Sequence, residues 1–192
     1  MIKNIIKNFK KKYFRNGKKE NFKEAYEDLI EEQEIEDDNL DDGTKKIFSN
    51  VIDIRNKCIE DIMVPRADIV AIPETVSFDE LMNTISKSKH SRIPTFSENL
   101  DKITGMVHIR DFLSSIKDIE RKEIKKKNVK EISRKILFSS PSMKILDLLL
   151  KMRSEKIHMA VVVDEFGGTD GLVTIEDLVE EIVGEIEDEH DM

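Results

Sequence analysis

Gly105-Met-Val-His-Ile-Arg-Asp111 is followed, 66 positions later, by Gly171-Leu-Val-Thr-Ile-Glu-Asp177. Each copy reads as a glycine turn, a short apolar strand and a helix start carrying an Asp, so a unit of structure has been duplicated. A strand that delivers a polar side chain and a carboxylate to the first turn of a helix suits ribose and phosphate, because free backbone N–H groups there face an anion.

The repeat lengthens on moving upstream. Ser91-Arg-Ile-Pro-Thr-Phe96 precedes Gly105 as His158-Met-Ala-Val-Val-Val-Asp164 precedes Gly171, with Pro94 and Ala160 each 11 residues before the glycine. Ser77-Phe-Asp-Glu-Leu-Met-Asn-Thr-Ile85 matches Ser142-Met-Lys-Ile-Leu-Asp-Leu-Leu-Leu150 at an offset of 65, which implies one residue inserted between the two blocks. Each unit of about 55 residues reads as strand, helix, strand, strand, helix. In the second copy a helix is expected over 142–152, capped by Ser142, then strands over 159–163 and 172–174 and a helix over 175–183.

The chain has 192 residues, 39% of them hydrophobic, enough for one domain or two small ones. Its longest apolar runs, 145–150 (broken by Asp147) and 159–163, fall far short of the roughly 18–20 residues of a bilayer span. Met1-Ile-Lys-Asn-Ile-Ile6 lacks the unbroken apolar segment and cleavage site of a signal peptide. Cys58, the one cysteine, has no partner for an internal disulfide, so the expected compartment is the cytoplasm. Ile54 and Ile62 stand at helical spacing from Cys58, which reads as a buried small hydrophobe rather than a nucleophile.

Charge is unevenly spread within the net −8: residues 1–23 carry nine Lys or Arg against one Glu, and residues 24–42 carry eleven acids and no base. Ile2, Ile5, Ile6, Phe9 and Tyr13 share one helical face with lysines around it. That is the pattern of an interfacial helix drawn to anionic lipid or an acidic partner; a flexible basic leader is the alternative. Nucleic acid is not an expected partner, since the remainder is acidic and has no basic stripe interleaved with aromatics.

The stretches Asp61-Ile-Met-Val-Pro-Arg66, His90-Ser-Arg-Ile-Pro94, 158–168 and 171–189 resemble tandem cystathionine-β-synthase (CBS) domains, the Bateman module, in their CorC/HlyC branch of magnesium and cobalt efflux proteins and hemolysin C (TlyC). The likeness covers about residues 44–191. It implies an α/β (α+β) fold in which two CBS repeats pack with pseudo-twofold symmetry, after a helical N-terminal segment. The expected division is a leader over 1–43, a lead-in helix over 44–60 with Thr44 as its cap, CBS domain 1 over 61–117, a lysine-rich linker over 118–130, CBS domain 2 over 131–186 and an acidic tail over 187–192.

The resemblance also implies an adenine nucleotide, ATP or AMP with Mg²⁺, bound between the repeats. Asp177 and Asp111 would each accept the two ribose hydroxyls, which a carboxylate's paired oxygens satisfy well. Thr174 would contact phosphate or ribose. Met159 and Ala160 in one copy, and Ile93 and Pro94 in the other, would offer backbone groups and an apolar wall to adenine. Arg92 and His158, just before those strands, would face phosphate as basic residues do in similar CBS pairs. A single Thr-x-x-Asp is more often a helix cap; its recurrence in register points to a site. His108 departs from the pattern by standing where Thr174 stands, so the second copy, centred on Thr174 and Asp177, is expected to be the better site.

No Gly-x-x-x-x-Gly-Lys, Gly-x-Gly-x-x-Gly or Gly-x-Ser-x-Gly motif occurs, and the four histidines lack zinc-ligand spacing. The acids of 185–191, with Glu176, Glu180 and Glu181, read as a solvated face and tail, and neither a catalytic nor a metal residue is assigned. The expected role is therefore non-enzymatic: a regulatory module tied to Mg²⁺ or Co²⁺ efflux, dimeric as its relatives are, and cytoplasmic or peripheral at the inner face of the membrane beside a transporter. Two other readings stand beside it, a membrane-active hemolysin working through the basic leader and an interaction scaffold whose nucleotide site has decayed.

Overall fold

A computed structural model describes residues 42–88, 90–117 and 128–184. The basic leader, most of the linker and the acidic tail lie outside the described residues. The chain divides into units Met1–Ile52 and Asp53–Met192. Helix α1 (Asp42–Asp53) is shorter than the lead-in helix expected over 44–60. The helix stops at Asp53 and passes through turns (Asn56 N to Asp53 O, Lys57 N to Ile54 O) to Cys58, whose extended backbone (φ −110°, ψ 169°) bridges to Lys144 and whose N–H donates to Asp61 Oδ2 at 2.7 Å, starting a fresh 3-10 turn over Ile59–Asp61.

In the second unit each repeat builds the expected strand, helix, strand, strand, helix. Repeat 1 supplies β2 (Ile72–Pro73), α2 (Phe78–Ser88), β3 (Arg92–Phe96), β4 (Ile103–His108) and α3 (Ile109–Ile116). Repeat 2 supplies β5 (Leu137–Ser139), α4 (Ile145–Glu155), β6 (Met159–Val163), β7 (Thr169–Thr174) and α5 (Ile175–Val183), and a short β1 (Val64–Pro65) precedes both. The sheets run β2-β3-β4 and β1-β7-β6-β5. In each, a parallel pair flanks the first helix (β2 with β3, β5 with β6) and an antiparallel hairpin precedes the second (β3 with β4, β6 with β7).

Registers correct the internal alignment read from sequence. Thr95 lies opposite Gly105 and Val162 opposite Gly171, so β3 maps onto β6 at an offset of 67, one more than the alignment of Pro94 with Ala160. Ala160 is therefore the counterpart of Ile93, and His158 of Ser91; the Ser91 and His158 carbonyls accept from Ile109 N and Ile175 N at 2.9 and 3.1 Å. The extra residue sits in the turn between β3 and β4. The upstream helices also match at 67 rather than 65: Phe78, Leu81, Ile145 and Leu148 are all fully buried, whereas Leu150 is 56% exposed. Ser142 is not the cap of α4, whose cap residue is Lys144. A slip of two residues turns a helix by about 200°, and the apolar run 145–150 marks no single face, so tertiary burial alone chose the phase.

Three apolar clusters hold the unit. Repeat 1 packs Phe78 against Phe112 edge to face (5.4 Å between centroids) with Leu81, Ile93 and Val107. Repeat 2 packs Ile145, Leu148, Met152, Ala160, Val162, Val173 and Leu178, joined by Ile54 and Ile59 from ahead of repeat 1. The third cluster, Ile103 and Met106 with Ile136, Met159, Val161 and Leu172, draws on both repeats.

The repeats also exchange their lead-in segments. β1 leads into repeat 1 yet pairs with β7 of repeat 2, Val64 opposite Leu172 and Pro65 opposite Gly171. The segment leading into repeat 2 pairs reciprocally with β4: Met106 N donates to Arg134 O at 2.9 Å and Arg134 N to Met106 O at 2.8 Å. Each motif glycine lies under this crossing. A Cβ on Gly105 would stand 2.5 Å from Arg134 O, and one on Gly171 would stand 2.8 Å from Val64 O. Glycine is thus required by close backbone approach. Gly171→Ala should cost about 1–3 kcal/mol through overpacking, read as a fall in melting temperature of several degrees; an unchanged melting curve would contradict the crossing as described.

Candidate nucleotide-binding site

Where β7 runs into α5, the backbone leaves extended geometry at Thr174 (φ −110°, ψ 166°) and a capping box forms. Thr174 N and Oγ1 donate to Asp177 Oδ2 at 2.7 and 2.9 Å, and Asp177 N returns to Thr174 Oγ1 at 3.5 Å. Asp177 is thus a helix cap partner, and its Oδ1 accepts no hydrogen bond among the described residues. Met159 pairs with Thr174 and Ala160 with Val173 across the hairpin. Both side chains are turned into the core, Met159 between the repeats and Ala160 within repeat 2. What this pair presents at the strand edge is therefore backbone.

Arg92 reaches this junction from repeat 1. Its Nη1 donates to Glu176 Oε1 at 2.8 Å and its Nη2 lies 3.4 Å from His158 Nδ1. Arg92 is mostly buried, its side chain 17% exposed, while Glu176 is 58% exposed. Burial pushes the Glu176 carboxyl up, but its own backbone N–H and the Arg92 hydrogen bond and charge outweigh that and hold it below the usual carboxylate range. A guanidinium and an imidazole therefore stand beside the N-terminus of α5, with Glu176 as the local counter-ion.

The first copy differs at its centre. His108 caps α3 by accepting from Arg110 N at Nδ1 (3.0 Å), so no hydroxyl is available to draw Asp111 into a box. Asp111 Oδ1 instead takes Arg134 Nη2 at 2.5 Å, and Asp111 Oδ2 is buried without a partner among the described residues. Ile93 and Pro94 pair with Val107 and Met106 and are buried. Burial first, then the Arg92 charge, holds His108 below its ordinary value, with Asp111 pulling the other way.

The residues proposed from sequence thus gather at two strand-to-helix junctions. His158, Met159, Ala160, Thr174 and Asp177 make one, joined by the Arg92 guanidinium; Ile93, Pro94, His108 and Asp111 make the other, joined by the Arg92 backbone. Two participants were missed. Glu176 reads from sequence as part of a solvated acidic face, although its place in the first turn of α5 is readable there. Arg134 carries no local signal, because only the long-range crossing brings it to Asp111.

A separate open groove of about 550 Å³, lined by Arg66, Asp101, Asp164, Phe166 and neighbours, lies at the other ends of the strands and contains none of these residues. There Arg66 bonds Asp101 and the Thr169 carbonyl, tying the lead-in of repeat 1 to both hairpins. Among the described residues no group of three or more His, Cys, Asp or Glu is placed to hold a metal ion, and no helix is long and apolar enough to cross a membrane.

Two sheet-and-helix repeats, reciprocally crossed and presenting paired helix N-termini, define a CBS-domain pair. The CBS domain family matches residues 59–118 and 129–184, and the chain belongs to that family, in its CorC/hemolysin C branch. A hemolysin C homolog of Rickettsia rickettsii (strain Sheila Smith) is 48% identical over 148 residues, 77% of this chain and 48% of the relative. The chain spans about half the length of the curated relatives it matches. The solved CBS domain of a bacterial CNNM/CorC family Mg²⁺ transporter aligns with a TM-score of 0.78 and 33% identity over 88% of this chain and 99% of that one. A CBS domain of a bacterial CNNM/CorC family Mg²⁺ transporter solved in complex with ATP aligns with a TM-score of 0.70 and 35% identity over 74% of this chain and 98% of that one. A CBS-domain pair of Klebsiella pneumoniae with bound AMP aligns at 0.56 and 32% over 66% and 98%. CBS domains are in general regulatory rather than catalytic.

The cap geometry carries a pH consequence. His108 Nδ1 accepts a hydrogen bond only while deprotonated, and its folded pKa lies below the unfolded value near 6.5. The unfolded chain therefore binds the proton first as pH falls, so this contribution is full above about 6.5 and is lost on acidification below it. Comparing melting temperatures at pH 7.5 and 5.5, the native chain should lose more than His108→Thr, which keeps a cap but cannot titrate; equal losses would contradict this reading.

Proposed function

We propose that this chain is a regulatory, non-enzymatic module that binds an adenine nucleotide at the junction of β7 and α5 and conveys its presence to a membrane ion-transport protein handling Mg²⁺ or Co²⁺. The observation that carries the reading is the Thr174–Asp177 junction, where a carboxylate oxygen that takes no donor among the described residues stands at a helix N-terminus with Arg92 and His158 beside it. Asp177 would accept the ribose hydroxyls. The backbone of Met159 and Ala160 would read adenine, and Arg92 and His158 would meet phosphate. Mg²⁺ in this reading arrives on the phosphates. The neighbours solved with ATP and with AMP support the ligand class.

Regulation follows from Arg92, which repeat 1 contributes to a site otherwise built by repeat 2. A ligand gripping both would favour one arrangement of the repeats over another, and that differential affinity is the coupling. Homodimerisation, a place at the inner face of the membrane and a transporter partner belong to the same proposal, supported by the transporter-associated neighbour. The hemolysin C names among the relatives favour a second reading, membrane lysis through the basic leader. Deleting 1–23 should then abolish lysis while leaving nucleotide binding intact.

Calorimetry with ATP, ADP and AMP, with and without Mg²⁺, tests the main reading. Losing hydrogen bonds to a charged group at about 1.5–3 kcal/mol each predicts that Asp177→Ala weakens binding about tenfold or more, while Asp111→Ala leaves it within about twofold. Undiminished affinity in a folded Asp177→Ala variant would remove the site assignment.

A further inference from the structure

The two junctions sit at matching places in the repeat, but the lead-ins that cross beside them carry different side chains. Met106 and Leu172 occupy the same position of the duplicated motif. The residues bridged to them by the exchanged lead-ins are Arg134 and Val64. The close approach of Arg134 O to Gly105 and of Val64 O to Gly171 confirms the correspondence. Where repeat 2 receives a valine, repeat 1 receives an arginine, and that arginine lies on Asp111. We infer that Arg134 is the residue that closes the first junction to nucleotides, by holding as its own counter-ion the carboxylate that a ribose would need.

The geometry makes the closure specific. A ribose diol donates two hydrogen bonds, so it needs at least one reachable carboxylate oxygen with its lone pairs free, which Asp177 Oδ1 offers and Asp111 does not. Asp111 Oδ1 is held by a charge-assisted bond to Arg134, and Oδ2 is buried. His108 contributes by omission: lacking a hydroxyl, it leaves Asp111 out of a capping box and free to take the guanidinium, whereas Asp177 is boxed with Thr174 and the lead-in paired with β7 carries Val64 at the corresponding position, with no guanidinium to offer. Among the described residues Oδ2 also lacks a donor, and a buried acceptor left unpaired is costly. Once the arginine is removed, the carboxylate at the start of α3 has an unmet demand for two donors, which a ribose supplies. Three arginines act on His108, Arg92 from β3, Arg110 from α3 and Arg134 from the lead-in, and among the described residues only Arg134 pairs with Asp111.

This inference rests on the nucleotide reading of the Asp177 junction, and the experiment separates the two. Calorimetry with ATP and AMP on the full chain should show one nucleotide bound, and binding at least tenfold weaker for Asp177→Ala. Adding Arg134→Val to Asp177→Ala should restore a stoichiometry of one with affinity at least tenfold above the single variant, and adding Asp111→Ala should abolish it again. Arg134→Ala serves as a parallel variant: the side chain is 60% exposed, and the bridge to Met106 uses only backbone, so both substitutions spare the fold. Silence of both double variants while the native chain binds through Asp177 overturns the closure and leaves the site assignment standing. Binding by Asp177→Ala that Arg134→Ala removes would make Arg134 a ligand contact and overturn it as well. Native binding indifferent to Asp177→Ala sinks the underlying reading instead.

Discussion

Two backbone crossings, Arg134 over Gly105 and Val64 over Gly171, are the constraint on which the second unit depends. Each demands a residue without a side chain at one point of a strand, and each joins a lead-in to the sheet of the opposite repeat. Neither sheet has its full complement of pairing from its own repeat. The apolar cluster of Ile103, Met106, Met159, Val161 and Leu172 is the packing counterpart of that exchange, because it forms only when both hairpins are side by side. The duplication is therefore structural as well as historical: a glycine at that place is what a close-packed pair of crossed repeats requires.

From that common frame the two junctions diverge through single substitutions. Thr174 supplies a hydroxyl that recruits Asp177; His108 supplies an imidazole that recruits Arg110 N instead. The lead-in that brings Val64 to one brings Arg134 to the other. Corresponding strand-to-helix turns thus hold one acid in a local box and the other in a long-range ion pair. Arg92 links the junctions by belonging to the strand of one and projecting its charge into the other, which makes the electrostatics of the pair a shared property.

Much of this was legible in the chain. The motif repeated at 66 residues, with an Asp after a short apolar strand, was enough to place β4, α3, β7 and α5 and the residues at their junctions. What failed did so for physical reasons. The offset of the upstream helix was misread because Ile145-Leu-Asp-Leu-Leu-Leu150 is apolar nearly all round, and only burial of Ile145 and Leu148 sets the phase. The one-residue slip between Pro94 and Ala160 arose because the extra residue lies in a hairpin turn, where length varies freely. The lead-in helix was drawn too long because the pairing of Cys58 with Lys144 is non-local. Arg134 was invisible for the same reason: its effect depends on a partner in another element.

The crossed lead-ins also impose an order of events on synthesis. β1 emerges first, yet its partner Leu172 follows only after about 100 further residues, a delay on the order of 5–20 s at bacterial elongation speeds of roughly 5–20 residues per second. Throughout that interval the nascent amino-terminal half carries Val64 and Pro65 as an open edge, available to the wrong strand. The half that is made first is thus completed last, and a ribosome stalled anywhere before codon 172 would release a chain that had no correct way to close.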